Sequence, residues 1–460
     1  MAVVAHIDPQ QTHAIVKRCN ELIDADDMIG AYKLAEDFLV ENPDDAQVLT
    51  VVAMILKKSG RLGSSYAIAN RIVQLRPDRP EAWSMLGNAA QAVWRIEEAE
   101  SCYKKSVNLA KGKSRAIYLN NLASIYLDIG QFKKAEPYSR ESLGLDSSDG
   151  LTRHNLGLSL LAQHKWQDGW KFYSSSIGTS SRRNIKYMPS PGEPTWDGSK
   201  GKTVVVYGEQ GLGDEICAAS MLQDVIEDSE KVIVDCDRRL HGLFKRSFPK
   251  AKVYGTRWEK QLGWDKEDRE IDASIAGFEV GKFYRNSTES FPGTAYLTPC
   301  PDRVRMWNGL FASKGKPVIG IAWSGGTWHN AGKYRNLPIS EWGPIFKAID
   351  AHWVSLQYKD ASKGIEGTPV VQYPFGTLTQ DYDDTAALVA SCDLVIGMQT
   401  TVCHLAGALG KPVWTIIPKT SQWRYGEEGD SIPWYKSMKI YRQGSKWPVQ
   451  EIAKDLASWM

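Results

Sequence analysis

The strongest constraint on this chain is a period. Four pairs of one kind, Val52-Ala53, Leu86-Gly87, Leu122-Ala123 and Leu156-Gly157, follow one another at intervals of 34, 36 and 34 residues. Thirteen residues after the first member of each pair stands a small residue: Ser65, Ala99, Ala135 and Gly169. One further step back places Ala31 in the same role. A repeat of this length cannot bury an apolar face alone, so its copies must stack on one another. Small residues at fixed offsets mark where antiparallel helices cross, and larger ones fill the space between neighbours. The spacing predicts five helix pairs, beginning near Thr12, Ala46, Pro80, Ala116 and Gly150.

The run Trp83-x-x-Leu86-Gly87 with Ala99 and Tyr103, and prolines closing two copies at Pro43 and Pro77, resembles the tetratricopeptide repeat. The last copy, with Trp166 and Trp170, departs from the pattern and is expected to cap the array. The resemblance implies a superhelix whose concave face holds a protein or peptide. Asn120 and Asn121, in the fourth repeat, are then candidates for bonding the backbone of an acceptor peptide. A rigid spacer or dimerisation platform is the plainer reading of the same array.

At 460 residues the chain is too long for one core, so further domains must follow the repeats. A net charge of +2 gives no global basic excess, and no nucleic-acid partner is expected. The seven cysteines contain no C-x-x-C pair, which fits reduced thiols better than a disulfide frame or a zinc site. The N-terminal stretch lacks a basic segment followed by an apolar core, so no signal peptide is expected. No apolar run approaches the ~20 residues that span a bilayer. A cytoplasmic protein without a transmembrane segment is expected.

The repeats are read as ending at 177, and 178–202, rich in Gly, Ser and Pro, as a linker whose Trp196-Asp197-Gly198 is docked. Thr203-Val-Val-Val-Tyr-Gly then reads as a buried strand running into a turn with Gly208, Gly211 and Gly213, before a helix spanning Ile216 to Ile226. A strand ending in such a turn at a helix N-terminus suits a ligand with anionic oxygens. Strands and helices alternate through 203–299 and again through 300–460, where Pro317-Val-Ile-Gly-Ile-Ala-Trp-Ser-Gly-Gly326 repeats the design. That alternation predicts two parallel sheets with helices on both faces and a cleft at the carboxyl ends of their strands. The fold class is therefore α plus α/β.

From about Pro194 onward the chain resembles the GT-B glycosyltransferases of the ADP-heptose:lipopolysaccharide heptosyltransferase type. The match is carried by Gly208-Glu-Gln-Gly-Leu-Gly-Asp214, Gly320-Ile-Ala-Trp-Ser-Gly-Gly326, Asp384-Thr-Ala-Ala-Leu388, His404-Leu-Ala-Gly-Ala-Leu-Gly410 and Ser431 to Tyr435. With the repeats ahead of it, the whole is similar to bacterial tetratricopeptide proteins carrying such a domain. The resemblance implies a tetratricopeptide α-solenoid followed by two Rossmann-like halves, with a nucleotide-activated sugar as substrate and neither cofactor nor metal. It makes Asp214 the general base. It makes Gly211, Gly213, Ser324, Gly325, Lys333, Arg335, Gln399, Thr400, Thr401 and His404 the donor site, with Arg335 on the phosphates. The chain departs from the family at Gln399, where an aspartate is usual, and so removes a charge from the donor pocket. Asp381-Tyr-Asp383-Asp384 offers carboxylates to a metal, but Asp384 is better read as the N-cap of a helix opening at Thr385. Trp423, Arg424, Trp434 and Tyr435 would wall the donor site by stacking or pack the body of the domain. The function implied is transfer of the sugar to a hydroxyl of a protein or peptide brought by the repeats. The alternatives are a non-catalytic repeat scaffold with a degenerate pocket, and a transferase acting on a surface glycan.

Overall fold

The computed structural model describes residues 8–176, 195–208, 210–259, 261–264, 271–326 and 334–459. The chain forms two compact units, Met1–Leu127 with Lys133–Asn155, and Asp128–Phe132 with Leu156–Met460.

Ten helices follow the period: α1 (Pro9–Asp24), α2 (Met28–Glu41), α3 (Ala46–Lys58), α4 (Leu62–Leu75), α5 (Pro80–Ala92), α6 (Ile96–Leu109), α7 (Gly112–Asp128), α8 (Phe132–Leu145), α9 (Gly150–Ala162) and α10 (Trp166–Tyr173). Each pair turns over one residue with positive φ: Asp26 (64°), Gly60 (75°), Trp94 (63°), Gly130 (68°) and His164 (59°). These sites recur at 34, 34, 36 and 34 residues, the period of the sequence pattern. Left-handed backbone costs a non-glycine residue roughly 1–2 kcal/mol. It is held by the bond that follows it, such as Asp27 N–H to Leu22 O at 2.8 Å and Arg95 N–H to Ala90 O at 2.8 Å. Such a bond closes a helix by satisfying a carbonyl of its last turn. The small residues sit where the pairs cross. Ala31, Ala99 and Ala135 are fully buried, and a Cβ on Gly87 would lie 2.6 Å from the Tyr103 ring.

The second unit contains two parallel sheets. The first holds β1 (Thr203–Tyr207), β2 (Lys231–Asp235), β3 (Lys252–Tyr254) and β4 (Ala273–Ala276) in the order β3-β2-β1-β4. The second holds β5 (Val318–Ala322), β6 (His352–Ser355), β7 (Val370–Gln372), β8 (Leu394–Met398), β9 (Val413–Ile417) and β10 (Met438–Arg442) in the order β10-β9-β8-β5-β6-β7. Both begin in the middle, step outward on one side, then cross to the other. The reversals fall between β1 and β4 and between β5 and β8, where open α/β sheets leave a crevice at their carboxyl ends.

Several elements differ from their sequence readings. The single helix expected from Ile216 is two, Leu212–Ala218 and Leu222–Asp228, separated by a 3-10 turn. β10 was not predicted as a strand: Lys439 and Arg442 interrupt its apolar residues, and it lies at the edge of the sheet beside β9. The helix read as starting at Thr385 spans Tyr382–Ala390, and its N-cap is Asp381, which accepts from the Asp383 N–H at 3.0 Å, rather than Asp384. The C-terminal helix Val449–Ala457 buries Val449, Ile452 and Leu456 in the core of the second sheet.

The expected boundary at 177 does not coincide with the compact units, because α10 belongs to the second. Its aromatic face explains this. Trp166 packs on Phe291 with ring centroids 4.6 Å apart, and Trp170 meets Trp423 edge-on at 6.0 Å. A helix carrying three large buried rings loses that apolar contact if it is parted from them. The docked part of the expected linker is present: Trp196 is 1% exposed, packs on Phe283 and donates its backbone N–H to Ser274 O of β4 at 2.9 Å. The stretch 178–194 of that linker lies outside the described residues.

Candidate functional site

The turn after β1 is shaped by a buried carboxylate. Glu215 accepts from the Asp237 N–H at 2.9 Å and from the Arg257 guanidinium. Its carboxyl carbon lies 2.4 Å from where a Cβ on Gly208 would stand, so only glycine fits there. The chain then enters helix Leu212–Ala218 with Gly211 as N-cap, and the Gly211 N–H donates to Asp214 Oδ2 at 3.0 Å. Asp214 Oδ1 takes the Arg424 guanidinium at 2.8 Å. Arg424 is almost fully buried, against Phe278 and Trp423. Burial by itself would lower its pKa, but the Asp214 carboxylate together with Cys217, Tyr425 and Tyr173 outweighs that and the net shift is upward.

The second half supplies a complementary set of groups. Ser324 and Asn336 form a bridge after β5, with Gly325 N–H to Arg335 O at 3.1 Å and Leu337 N–H to Trp323 O at 3.0 Å. This fixes the backbone of Arg335 beside the glycines, while Gln357 donates to the Ser324 hydroxyl. The Arg335 Nε is buried without a hydrogen-bond partner. Burial pushes the pKa of this guanidinium down, and the like charge of Arg424 pushes it further. Thr400 is the N-cap of helix Thr401–Ala408, yet its side chain makes no capping bond and its Oγ1 is buried unpartnered. Gly325 lets this helix end approach: a Cβ there would sit 2.2 Å from Thr400 Cγ2. A Cβ on Gly213 would sit 3.2 Å from the Thr401 backbone, so the glycine turn of the first half rests on the same helix end.

Two of the expected donor residues are fully engaged. His404 is 3% exposed, with Nδ1 3.2 Å from the Tyr435 hydroxyl and Nε2 3.1 Å from the Tyr425 hydroxyl. Burial, and then the charge of Arg424, drive its pKa well below the ordinary value, so it is neutral at pH 7. Gln399 is buried, donating to Thr420 O at 2.8 Å and accepting from the Gln422 N–H at 3.2 Å. A carboxylate in its place would have no proton for Thr420 O. Gln422 in turn accepts from Arg424 at 2.9 Å. Gln399 thus ties the end of β8 to the loop that presents Arg424.

These groups line one cleft of about 1220 Å³, its open mouth included. Asp214, Gly211, Gly213, Ser324, Gly325, Arg335, Gln399, Thr400, Thr401 and His404 all contribute to its wall. Lys333 lies outside the described residues. Asn120 and Asn121 are elsewhere, in the array. Asn120 is 7% exposed and accepts from Asn155 at 2.8 Å, and Asn121 donates to Ser84 at 3.1 Å. Both bonds join neighbouring repeats, and Asn121 is the one that retains accessible surface.

The ion pair of Arg424 with Asp214 was not legible in sequence, since its partners stand 210 residues apart and on different halves. Arg239, held by Asp237, and Tyr358, about half exposed, also line the cleft without having been singled out. Trp423 and Trp434 are buried against Phe278 rather than walling the cleft. The acidic run near 381 is engaged by arginines: Asp383 with Arg246, and Asp381 and Asp384 with Arg303. Among the described residues no group of three metal-ligating side chains is present, and no helix is long and apolar enough to cross a membrane.

Residues 78–148 match the tetratricopeptide repeat family. The chain is 28% identical over 439 residues to Protein FlbA of Caulobacter vibrioides, covering 89% of this chain and 72% of FlbA. Among solved structures, MamA aligns at 16% identity and a TM-score of 0.31, covering 37% of this chain and 97% of MamA. A tetratricopeptide protein of Thermus thermophilus aligns at 19% identity and a TM-score of 0.33, covering 37% of this chain and 93% of its own. The family match, together with helix pairs at the same period, makes the N-terminal region a tetratricopeptide-repeat array, ahead of a region of parallel sheets, in a chain similar over most of its length to FlbA.

Proposed function

We propose that the second unit is a GT-B glycosyltransferase that moves a sugar from a nucleotide-activated donor to a hydroxyl of a protein or peptide recruited by the repeats. One observation carries the reading. A cleft between two doubly wound sheets brings a carboxylate from one half into one cavity with a buried guanidinium, its Nε without a hydrogen-bond partner, and a helix N-terminus from the other. The donor phosphates suit the second side. The Arg335 fork matches two phosphate oxygens, and Thr400 Oγ1 with the N–H groups at Thr401 completes the cradle. The positive charge comes from arginines and a helix end, so the reading needs no metal. Asp214 accepts the proton of the acceptor hydroxyl as that oxygen bonds to the anomeric carbon of the sugar. The bond from that carbon to the phosphate oxygen breaks, and its electron pair leaves on the nucleotide. His404, neutral and bonded on both sides, shapes the helix end and carries no charge. The site of action is the cytoplasm, where nucleotide-activated sugars are available.

A non-catalytic scaffold is the second reading, and one observation favours it: both oxygens of Asp214 are already engaged, by Arg424 and by the Gly211 N–H. The two part on one experiment. A panel of nucleotide sugars is screened by thermal shift on the full chain, where one donor should stand out because a ligand bound only to the folded state stabilises it by mass action. Co-purified array partners are then incubated with that donor and weighed by mass spectrometry. A mass increase of one sugar supports transfer. A bound but unmodified partner with every donor establishes the scaffold.

A further inference from the structure

We propose that the last helix of the array, α10, is a working part of the cleft, with Tyr173 as a positioning residue for Asp214. The inference rests on the reading of Asp214 as the base. Tyr173 is fully buried and stands beside both arms that hold the Asp214 carboxylate. On one side its hydroxyl accepts from Gln210 Nε2 at 3.0 Å. Gln210 directly precedes Gly211, whose N–H binds Asp214 Oδ2. On the other side the Tyr173 ring meets Trp423 at 6.0 Å, and Trp423 directly precedes Arg424, which binds Asp214 Oδ1. Phe278 closes the group, 6.2 Å from Tyr173 and 5.6 Å from Trp423.

The helix that carries Tyr173 is itself anchored to the first α/β half. The Trp170 indole donates to Arg285 O at 2.7 Å and the Trp166 indole to Thr288 Oγ1 at 3.0 Å. Gly281 leaves room for Trp170: a Cβ there would lie 2.5 Å from its ring. The carbonyl of Gln210 is held separately by Arg257, so the Tyr173 hydroxyl fixes the side-chain end of that residue. A misplacement of about 1 Å at a reacting group can cost on the order of 10²-fold in rate. A ring that braces both arms therefore bears on catalysis without touching substrate.

The test is a double-mutant cycle in the full chain with Tyr173→Phe, Gln210→Met and both together. Tyr173→Phe keeps the ring packing and removes only the hydroxyl. If Tyr173 acts through Gln210, each single variant slows sugar transfer about tenfold at unchanged donor KM, and the double variant is no slower than either. A merely structural tyrosine gives additive losses, which overturns the proposal. Amide hydrogen exchange supplies a readout independent of activity. Faster exchange in Leu212–Ala218, with Trp423–Tyr425 and α1 to α4 unchanged, supports the proposal, and unchanged exchange in Leu212–Ala218 overturns it. Should the wild-type chain transfer no sugar, the glycosyltransferase reading falls and the exchange arm still decides whether Tyr173 positions the loop. Should Tyr173→Phe fail to fold, Gln210→Met tests the same bond from its other end.

Discussion

Arg424 donates to Asp214 Oδ1 at 2.8 Å, an ion pair that joins the loop after β9 to the glycine turn after β1. A side chain of the second α/β half thereby sets the orientation of the carboxylate on the first. Asp214→Asn keeps the shape and an acceptor for Arg424 but removes the proton acceptor. Transfer is expected to fall by roughly 10²–10⁴, the range for a lost general base, with nucleotide-sugar affinity nearly unchanged. Initial rates and calorimetry on the purified variant check both parts, and a fully active variant would remove Asp214 from the mechanism.

Arg335→Ala is expected to separate stability from binding. In the free protein its guanidinium is disfavoured by burial and by Arg424, so its removal should raise the melting temperature, by roughly 2 °C. The same change should weaken nucleotide-sugar binding by about 2 kcal/mol, the worth of a charge-assisted fork. A variant that melts lower and binds as well as the wild type would show that the phosphate sits elsewhere.

Gly325→Ala places a methyl group 2.2 Å from Thr400 Cγ2 and should displace the N-cap of helix Thr401–Ala408. Overpacking of this kind costs about 1–3 kcal/mol. Thr400→Ser deletes Cγ2 and leaves Cβ 3.3 Å from the new methyl, so the double variant should recover most of the lost stability and donor binding. Chemical denaturation of the four species gives the coupling. Additive losses would mean that the crowding is relieved some other way.

His404 should make the protein acid-sensitive. Its folded-state pKa lies well below the usual value near 6.5, so the unfolded chain binds the proton more readily. Its contribution is fully present above about pH 6.5 and is lost as pH falls through that value toward the folded pKa. Melting temperatures from pH 8 to pH 5 should therefore fall more steeply for the wild type than for His404→Gln. Parallel curves would show that other groups set the acid limb.

A cut within 178–194 is expected to harm the α/β region. It removes Trp166, Trp170 and Tyr173 and uncovers Phe291, Phe278 and Trp423. Residues 195–460 alone should bind a hydrophobic dye and melt earlier than residues 150–460, which keep α9 and α10. Equal dye binding and equal melting temperatures for the two fragments would show that α10 is dispensable to the second unit.

The sequence by itself determined the repeat and both glycine turns. A helix pair of fixed length must present its small residues and its left-handed turn at fixed offsets, so the period is written locally. The strand-then-glycine runs at Thr203–Gly208 and Val318–Gly326 are legible for the same reason. A buried parallel strand is a short apolar run, and a close backbone approach excludes a side chain. Only the tertiary structure decided how the cleft is wired. Arg424 meets Asp214, and Tyr173 meets Gln210 and Trp423, across chain separations that carry no local pattern. Gln399, which as a sequence reads only as a missing charge, is a side-chain amide hydrogen-bonded on both sides between β8 and the Arg424 loop. Asn120, which reads as an open polar position, is bonded to the next repeat. In each case the residue type is compatible with several partners, and the packing of distant elements chose which one it received.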